Sequence, residues 1–197
     1  IEGLRASFSK SMKYKHRDYE SLERQLQRCE PDRLKLIVSD SVFSMEGDVA
    51  DVKKMVELAK KYNAAVMIDE AHGIGVFGEG GRGVCHAQGV AKDVDLIMGT
   101  FSKSFASLGG FIATDKEITN FLRHHSRSYI FTASITPAST AAALKAIEIM
   151  KSEPERQENL WKLTNYALEG FKNMGIEIGN TSTPIIPLFI RDNFKTF

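Results

Sequence analysis

Short apolar runs that alternate with longer helical patterns are the feature that most constrains the fold of this chain. Each run is short enough for a buried strand and too short for a helix. The runs lie at residues 34–38 (LKLIV), 64–68 (AAVMI), 96–98 (LIM) and 111–113 (FIA), and residues 185–190 (IIPLFI) resume the pattern. Strands that alternate with helices form layered folds. The sequence therefore predicts an α/β fold, with a mostly parallel sheet between helices.

Five stretches between and after these runs have helical periodicity. Val52, Met55 and Val56, for example, fall on one face of a helix, and charged residues separate them. Pro137 and Pro154 each stand where the first turn of a helix accepts proline. We expect helices at about residues 18–29, 51–62, 115–127, 137–151 and 154–174.

A change in composition at residues 152–154 (SEP) indicates a domain boundary. Residues 1–152 hold the predicted sheet, and residues 153–197 begin a smaller C-terminal domain. The chain opens on Ile1 rather than on a methionine, and it stops shortly after a strand-like run. We therefore expect a partial chain, the internal piece of a longer protein.

Composition excludes several classes of function. The 197 residues include 26 basic and 25 acidic side chains, so the net charge of +1 gives no reason to expect nucleic acid as a partner. No run is long and apolar enough for a transmembrane segment. The two cysteines, Cys29 and Cys85, lie far apart and are typical of free thiols in a reducing compartment. We therefore expect a cytoplasmic protein.

Polar side chains follow each of the first three predicted strands. Because ligands bind beyond the carboxyl ends of parallel strands, we expect these side chains to converge in space. The residues are Ser39, Asp40 and Ser44 after the first strand, Asp69 and His72 after the second, and Thr100, Ser102 and Lys103 after the third.

Lys103 stands among small, hydroxylated and apolar residues in the run 98–110 (MGTFSKSFASLGG). We expect a tight, half-buried turn here, in which burial lowers the pKa of a lysine and makes its neutral amine nucleophilic. Such a lysine forms a Schiff base with a carbonyl, above all with pyridoxal phosphate (PLP). The alternative is a lysine whose ammonium group reaches the surface of an ordinary turn.

Two sequence motifs indicate other functions, and neither is complete. Residues 69–72 (DEAH) match a helicase box, but no phosphate-binding G-x-x-x-x-G-K-[ST] occurs in the chain. Residues 73–78 (GIGVFG) match the dinucleotide-binding G-x-G-x-x-G. That fingerprint opens a helix, and we expect none to start in residues 79–83 (EGGRG). Cys85 and His86 lack a second ligand pair, so we predict no metal site.

PLP requires four kinds of group, and the strand-end residues supply each of them. Lys103 provides the amine, and Asp69 provides a carboxylate that keeps the ring nitrogen protonated. His72, assisted by Ser44, can donate to the phenolic oxygen. The hydroxyls of Thr100 and Ser102 flank the lysine and can bind the phosphate. Each residue also has an ordinary structural explanation, so the hypothesis rests on the set.

Three stretches of the chain resemble the signature motifs of the α-oxoamine synthases, which are fold-type-I PLP enzymes of the class II aminotransferase type. The stretches are residues 42–48 (VFSMEGD), 68–75 (IDEAHGIG) and 99–103 (GTFSK). The resemblance implies an aspartate aminotransferase-like fold, with residues 1–152 in the centre of the large PLP-binding domain. It also implies condensation of an amino acid with an acyl-CoA, with release of CoA and CO2.

Roles follow from the same resemblance, position by position. It implies that Lys103 forms the Schiff base and later moves the Cα proton. It implies that Asp69 pairs with the pyridine nitrogen, and that His72 and Ser44 lie at the phenolic oxygen. The hydroxyls of Thr100 and Ser102 lie at the phosphate. Residues 129–137 (YIFTASITP) resemble the segment that reaches the phosphate of the neighbouring subunit, which implies a homodimer with a shared active site. Thr132, Ser134 or a backbone amide is the donor there, since Ala133 stands where some members have threonine.

Other departures from the family pattern refine the expectation. Residues 104–106 (SFA) replace the frequent Ala-Phe-Gly, and together with residues 131–134 (FTAS) they look closer to serine palmitoyltransferases than to the biotin-pathway enzyme, 8-amino-7-oxononanoate synthase. That enzyme and glycine C-acetyltransferase are the alternatives within the family. The chain lacks the upstream aromatic that stacks on the cofactor and the downstream arginine that binds the substrate carboxylate. An inactive partner subunit is the alternative of a different class, and the presence of Lys103 argues against it.

Overall fold

A four-stranded mixed sheet organises the computed structural model, which describes residues 2–196. The strands are β1 (Leu36–Asp40), β2 (Ala65–Asp69), β3 (Leu96–Thr100) and β4 (Gly110–Thr114), and they lie in the order β1-β2-β3-β4. β2 runs parallel to both β1 and β3, whereas β4 is antiparallel to β3. The prediction of a mostly parallel sheet is therefore confirmed.

Helices connect and flank the strands. Their bounds are α1 Glu2–Ala6, α2 Tyr19–Gln27, α3 Val52–Tyr62, α4 Val84–Ala87, α5 Lys116–His125, α6 Arg127–Ile130, α7 Pro137–Ser152, α8 Glu155–Asn173 and α9 Asn193–Thr196. All five predicted helices form. The short helices α1, α4, α6 and α9 were not predicted as separate elements, because one turn is too short for a periodic pattern.

Polar caps fix where α3 and α7 begin. The Asp51 carboxylate accepts a hydrogen bond from the Lys54 amide at the start of α3, with an N···O distance of 2.9 Å. The Thr136 hydroxyl accepts one from the Ser139 amide at the start of α7 (3.2 Å). Each cap satisfies an amide that has no partner within its helix. α3 ends at Asn63, which takes the left-handed conformation (φ 50°).

The apolar core lies between one face of the sheet and helices α2 and α3. Alternate residues of β1 and β2 point into it, as the two-residue period of a strand requires. Its buried members include Ile37, Val66 and Ile68 from the strands, Leu22 and Leu26 from α2, and Val52, Met55, Val56 and Ala59 from α3. The other face of β1 and β2 ends in Asp40 and Asp69, at the carboxyl edge of the sheet.

Two local predictions were wrong. Residues 185–190 form no strand, because Pro187 lacks the amide that a ladder position needs; the Phe189 amide instead donates to the carbonyl of Glu177 (3.0 Å). Residues 79–83 do contain helical structure, since Glu79–Gly81 forms a 3-10 turn. Its glycines adopt the left-handed conformations that the turn requires.

Helix α8 packs against the loop that follows β2. The Gln157 amide group donates to the carbonyls of Val76 (2.7 Å) and Gly78 (2.9 Å). The Trp161 indole also donates to Val76 (3.0 Å), and its ring packs edge-on against Phe77. These contacts cross the expected boundary at residue 152, and the division into domains 1–152 and 153–197 stays a prediction.

Candidate active site

The carboxyl ends of three strands place the predicted residues along one edge of the sheet. Asp40 of β1 lies in register with Asp69 of β2, and Asp69 lies in register with Met98 of β3. Thr100 ends β3 two residues later, so its side chain points to the same face as Met98. The loops after β2 and β3 then carry His72 and Lys103.

Asp69 is fixed by the loop that it begins. Its Oδ1 accepts a hydrogen bond from the amide of Ala71 (2.8 Å), and its side chain is half-buried. The adjacent Glu70 amide donates to the carbonyl of Met98 (2.8 Å), which continues the β2–β3 pairing past the end of the strand. A carboxylate held in this way at a sheet edge can face a cationic group without rearrangement.

His72 is electrostatically coupled to the other charged groups at this edge. Partial burial of the imidazole lowers the pKa of His72, and the positive charge of Lys103 lowers it further. The carboxylates of Asp40 and Asp69 oppose this shift. The net direction favours a neutral ring, which carries one N–H donor.

Lys103 lies in a turn that is joined to the loop after β2. The Ser104 hydroxyl donates to the carbonyl of Ile74 (2.8 Å), and the Ala106 amide donates to the carbonyl of Lys103 (2.9 Å). Phe105 is buried beneath the turn. The Lys103 side chain itself is exposed, so the expectation of a half-buried lysine was wrong. Phe105 buries one side of the turn, and that leaves the lysine on the side open to solvent.

The hydroxyls of Thr100 and Ser102, close to Lys103 in the chain, are hydrogen-bonded to each other. The hydroxyl oxygens of Thr100 and Ser102 lie 2.8 Å apart, and the Ser102 amide donates to the Thr100 hydroxyl (3.2 Å). Thr100 also donates to the carbonyl of Gly109 (3.2 Å). Because the Thr100 hydroxyl proton is directed at Gly109, the Ser102 hydroxyl is the one that can turn toward a phosphate oxygen.

Ser44 lies in an exposed loop, and hydrogen bonds from two distant segments hold the end of that loop at Gly47 and Asp48. Asp48 accepts hydrogen bonds from His16 Nε2 (3.0 Å) and from the Arg17 guanidinium (3.0 Å). On the other side, the carbonyl of Gly47 accepts from the hydroxyls of Thr181 (2.7 Å) and Thr183 (2.9 Å). The sequence motif at residues 42–48 gave no indication of these distant partners.

Thr132 and Ser134 lie in the exposed segment between α6 and α7. Within residues 2–196, no hydrogen bond connects either side chain to Lys103, Asp69 or His72. Ile135 of the same segment packs against Gly109, near the end of the Lys103 loop. The structure thus brings the segment beside that loop, but it does not join the two hydroxyls to the other predicted residues.

Glu70 is a buried carboxylate whose role the sequence did not reveal. It is fully buried, and its two oxygens accept hydrogen bonds from the Ser41 hydroxyl (2.8 Å), the Val84 amide (3.1 Å) and the Cys85 amide (2.6 Å). A Cβ at Gly73 would lie 1.8 Å from Glu70 Oε2, so that glycine makes room for the carboxylate. Gly73 and Gly83 flank this carboxylate, but glycines in a sequence do not identify the group that they accommodate.

The structure also disfavours the dinucleotide-binding motif and a role for Cys85 as a metal ligand. The first amides of α4 already donate to Glu70, so they are not free to bind a pyrophosphate. Burial and the charge of Glu70 raise the pKa of the Cys85 thiol, whereas a metal ligand is a thiolate. Over the described part of the chain, no cluster of three or more His, Cys, Asp or Glu side chains could hold a metal ion.

Comparison with known proteins identifies the family. The sequence model for "Aminotransferase class I and II" matches residues 1–193. The chain belongs to this family. Family membership agrees with the mixed sheet and with a lysine that follows its third strand.

Curated relatives confirm the resemblance to the α-oxoamine synthases. The chain is 60% identical over 197 residues to the serine palmitoyltransferase of Bacteroides ovatus, covering 100% of the chain and 50% of the relative. It is 46% identical over 198 residues to the 8-amino-7-oxononanoate synthase of Petrotoga mobilis, again covering 100% and 50%. The chain therefore spans about half the length of these curated relatives.

Solved structures confirm the predicted fold. A serine palmitoyltransferase variant from S. paucimobilis with a bound PLP–myriocin aldimine matches with a TM-score of 0.93 at 36% identity, over 98% of this chain and 51% of that one. A structure of SPT with a PLP internal aldimine matches with a TM-score of 0.92, also at 36% identity, over 98% and 49%. The expected fold-type-I architecture, and a chain that covers part of it, are thus both established.

Proposed function

We propose that the full-length protein is a PLP-dependent C-acyltransferase, which condenses an amino acid with an acyl-CoA and releases CoA and CO2. The observation that carries this proposal is the placement of Asp69, His72 and Lys103 at one sheet edge, where the charges of Asp69 and Lys103 act on His72. A carboxylate, an imidazole and a primary amine are the groups that this chemistry uses.

The residues at the edge fit PLP by the chemistry of their donors. Asp69 offers a half-buried carboxylate to a protonated ring nitrogen. His72, with a lowered pKa, offers one N–H to a phenolic oxygen. The Thr100 and Ser102 hydroxyls lie next to Lys103, and that of Ser102 can turn from Thr100 to a phosphate oxygen. Ser44 is exposed in the loop after β1.

Bound PLP supplies an aldehyde that the lysine can hold and a protonated ring that takes up the electron pair released at the substrate Cα. Lys103 holds the cofactor and then moves the proton at Cα. Asp69 keeps the proton on the ring nitrogen, and His72 with Ser44 orients the ring through its phenolic oxygen. Thr100 and Ser102 hold the phosphate.

Serine and a long-chain acyl-CoA are the substrates that we propose. The 60% identity to a serine palmitoyltransferase exceeds the 46% identity to an 8-amino-7-oxononanoate synthase, and residues 104–106 and 131–134 favour the same choice. Assay of the full-length protein with serine, glycine and alanine against short and long acyl-CoAs, following CoA release, tests this. Faster turnover with alanine and a short acyl-CoA would assign the biotin-pathway reaction, and faster turnover with glycine and acetyl-CoA would assign glycine C-acetyltransferase.

Borohydride reduction tests the role of Lys103. We expect reduction of the full-length protein to attach the cofactor irreversibly to Lys103, which peptide mass mapping would locate. Lys103→Ala should lose both the label and the visible absorbance of the bound cofactor, whereas Lys92→Ala, at an exposed surface lysine, should keep them. A label on another lysine, or persistent absorbance in Lys103→Ala, would contradict the assignment. A wild-type protein that binds no cofactor would favour the inactive-subunit alternative.

Replacement of Asp69 tests the role of the carboxylate. Asp69→Ala should still hold the cofactor on Lys103, but deuterium exchange at the substrate Cα should slow about 100-fold or more, since the ring loses the charge that keeps it protonated. Asp32→Ala, at an exposed position near the opposite end of β1, serves as the control. Exchange at the wild-type rate in Asp69→Ala would refute the proposed role.

A homodimer with a shared active site is a further part of the proposal. Segment 129–137 supports it, because Tyr129 and Phe131 are exposed by 63% and 77%. Mixed dimers of Lys103→Ala and the double variant Thr132→Ala/Ser134→Ala should regain activity that neither parent has, since one site of the hybrid keeps both sets of residues. Absence of recovery in dimers shown to be mixed would place these hydroxyls outside the site.

The cytoplasmic location also remains our proposal. It rests on Cys29 and Cys85, which are both free thiols. Among the described residues, no helix is long and apolar enough to cross a membrane. Fractionation of cells that express the full-length protein tests the location.

A further inference from the structure

Asp40 is a second carboxylate at the edge of the sheet that carries Asp69. It ends β1 and lies in parallel register with Asp69 at the end of β2. Neighbouring strands are about 4.8 Å apart, and in-register side chains point to the same face. The two carboxylates therefore stand side by side, on the face that also ends in Thr100.

The backbone keeps Asp40 in this position. The Ser41 amide donates to the carbonyl of Asp69 (2.8 Å), which extends the β1–β2 pairing beyond Asp40. The Ser39 hydroxyl donates to the carbonyl of Asp40 (3.1 Å). Because paired residues flank it on both sides, Asp40 cannot move away from Asp69 without breaking the ladder.

The groups that act on Asp40 come from three other elements. Partial burial at the sheet edge raises the pKa of Asp40, and the negative charge of Asp69 at the end of β2 raises it further. His72 in the next loop and Lys103 in the turn after β3 act in the opposite direction. Tyr14, in the segment before α2, lies close enough for the charge of Asp40 to raise the pKa of its phenol, after the larger effect of burial. Asp40 thus belongs to the same charged cluster as the three proposed catalytic groups.

We infer that Asp40 is a positioning residue that acts through Asp69, adding a second negative charge beside the carboxylate that would hold the ring-nitrogen proton of the cofactor. This inference rests on the proposed function. Two neighbouring carboxylates repel each other, and a cation between or beside them relieves the repulsion. A protonated ring nitrogen at Asp69 is such a cation, so the pair favours the protonated ring more strongly than Asp69 alone does.

Nitrogen NMR of the holoenzyme tests the inference directly. The full-length protein is loaded with PLP that carries 15N in the ring, and the ring-nitrogen chemical shift, which reports its protonation, is followed against pH. In Asp40→Asn the midpoint for loss of the ring-nitrogen proton should lie about one pH unit lower than in the wild type, because one nearby negative charge is absent. Asp40→Glu should follow the wild-type curve.

Two controls separate the possible outcomes. Asp32→Asn makes the same charge change near the opposite end of β1 and should leave the curve unchanged, and Asp40→Ser repeats the loss of charge with a smaller side chain. Superimposable curves for the wild type and for either neutral Asp40 variant would overturn the inference. A wild-type protein that takes up no labelled PLP would overturn the proposed function instead.

Discussion

The Ser104 hydroxyl donates a hydrogen bond to the carbonyl of Ile74, across an O···O distance of 2.8 Å. This bond joins the loop that carries His72 to the turn that carries Lys103. Gly75, which follows Ile74, lets the two loops come this close, since a Cβ at that position would lie 2.5 Å from the Cβ of Ser104. Gly75 also adopts a left-handed conformation (φ +82°).

Gly75→Ala should therefore weaken both stability and cofactor binding. The left-handed backbone costs a residue with a Cβ about 1–2 kcal/mol, and the overlap with Ser104 adds about 1–3 kcal/mol. We expect a loss of about 2–5 kcal/mol in the free energy of unfolding, measured by urea denaturation, and a higher Kd for PLP. Gly80→Ala is the control, because it has the left-handed backbone but no atom within 4 Å of the new Cβ. Equal losses in the two variants would show that the overlap is unimportant.

Glu70→Gln should be strongly destabilising although its shape is conserved. The two carboxylate oxygens accept from three donors, and the amide nitrogen of glutamine would face a backbone N–H instead of accepting from it. A buried backbone N–H that loses its acceptor and faces another donor costs about 3 kcal/mol of stability. Thermal unfolding measures the loss. Glu57→Gln, at an exposed residue paired with Lys54, should change stability by less than about 0.5 kcal/mol.

The sequence predicted the sheet edge because strand ends are local features. Asp69 follows its apolar run directly, and Thr100 and Lys103 lie about two and five residues after the next run, so recognising the runs also places these residues. The convergence of these residues then follows from parallel topology alone. Asp40 was predicted to join them, but its role depends on which strand lies beside it, and that order is a long-range property.

The features that sequence reasoning missed depend on distant contacts. Glu70 is hydrogen-bonded to Ser41 and Cys85, at sequence separations of 29 and 15 residues. Gly47 is hydrogen-bonded to Thr181, at a separation of 134 residues. The exposure of Lys103 is also set by packing, since Phe105 buries the other side of its turn. Apolar composition around a lysine therefore indicates a turn, but it does not determine which side chain of the turn is buried.

Ala106→Gly should stabilise the protein slightly. Ala106 adopts a left-handed backbone (φ 47°) just after Lys103, and that conformation costs about 1–2 kcal/mol for alanine. Glycine removes this strain but has greater freedom in the unfolded chain, so we expect a net gain of about 0.5 kcal/mol. Ala146→Gly, in the middle of α7, should instead lower the free energy of unfolding by about 1 kcal/mol. Urea denaturation of both variants measures the pair, and a loss in Ala106→Gly would contradict the strain argument.

His72 should titrate below the ordinary histidine pKa of 6.5 in the protein freed of cofactor. Partial burial and then the charge of Lys103 lower its pKa, so between the folded and unfolded values the unfolded chain binds more protons. The stability that His72 contributes is therefore present above pH 6.5 and is lost as the pH falls through the folded value. The ring-proton NMR signal of His72 gives the midpoint directly. Lys103→Ala should raise that midpoint by removing the neighbouring cation, and an unchanged midpoint would show that the two side chains are not coupled.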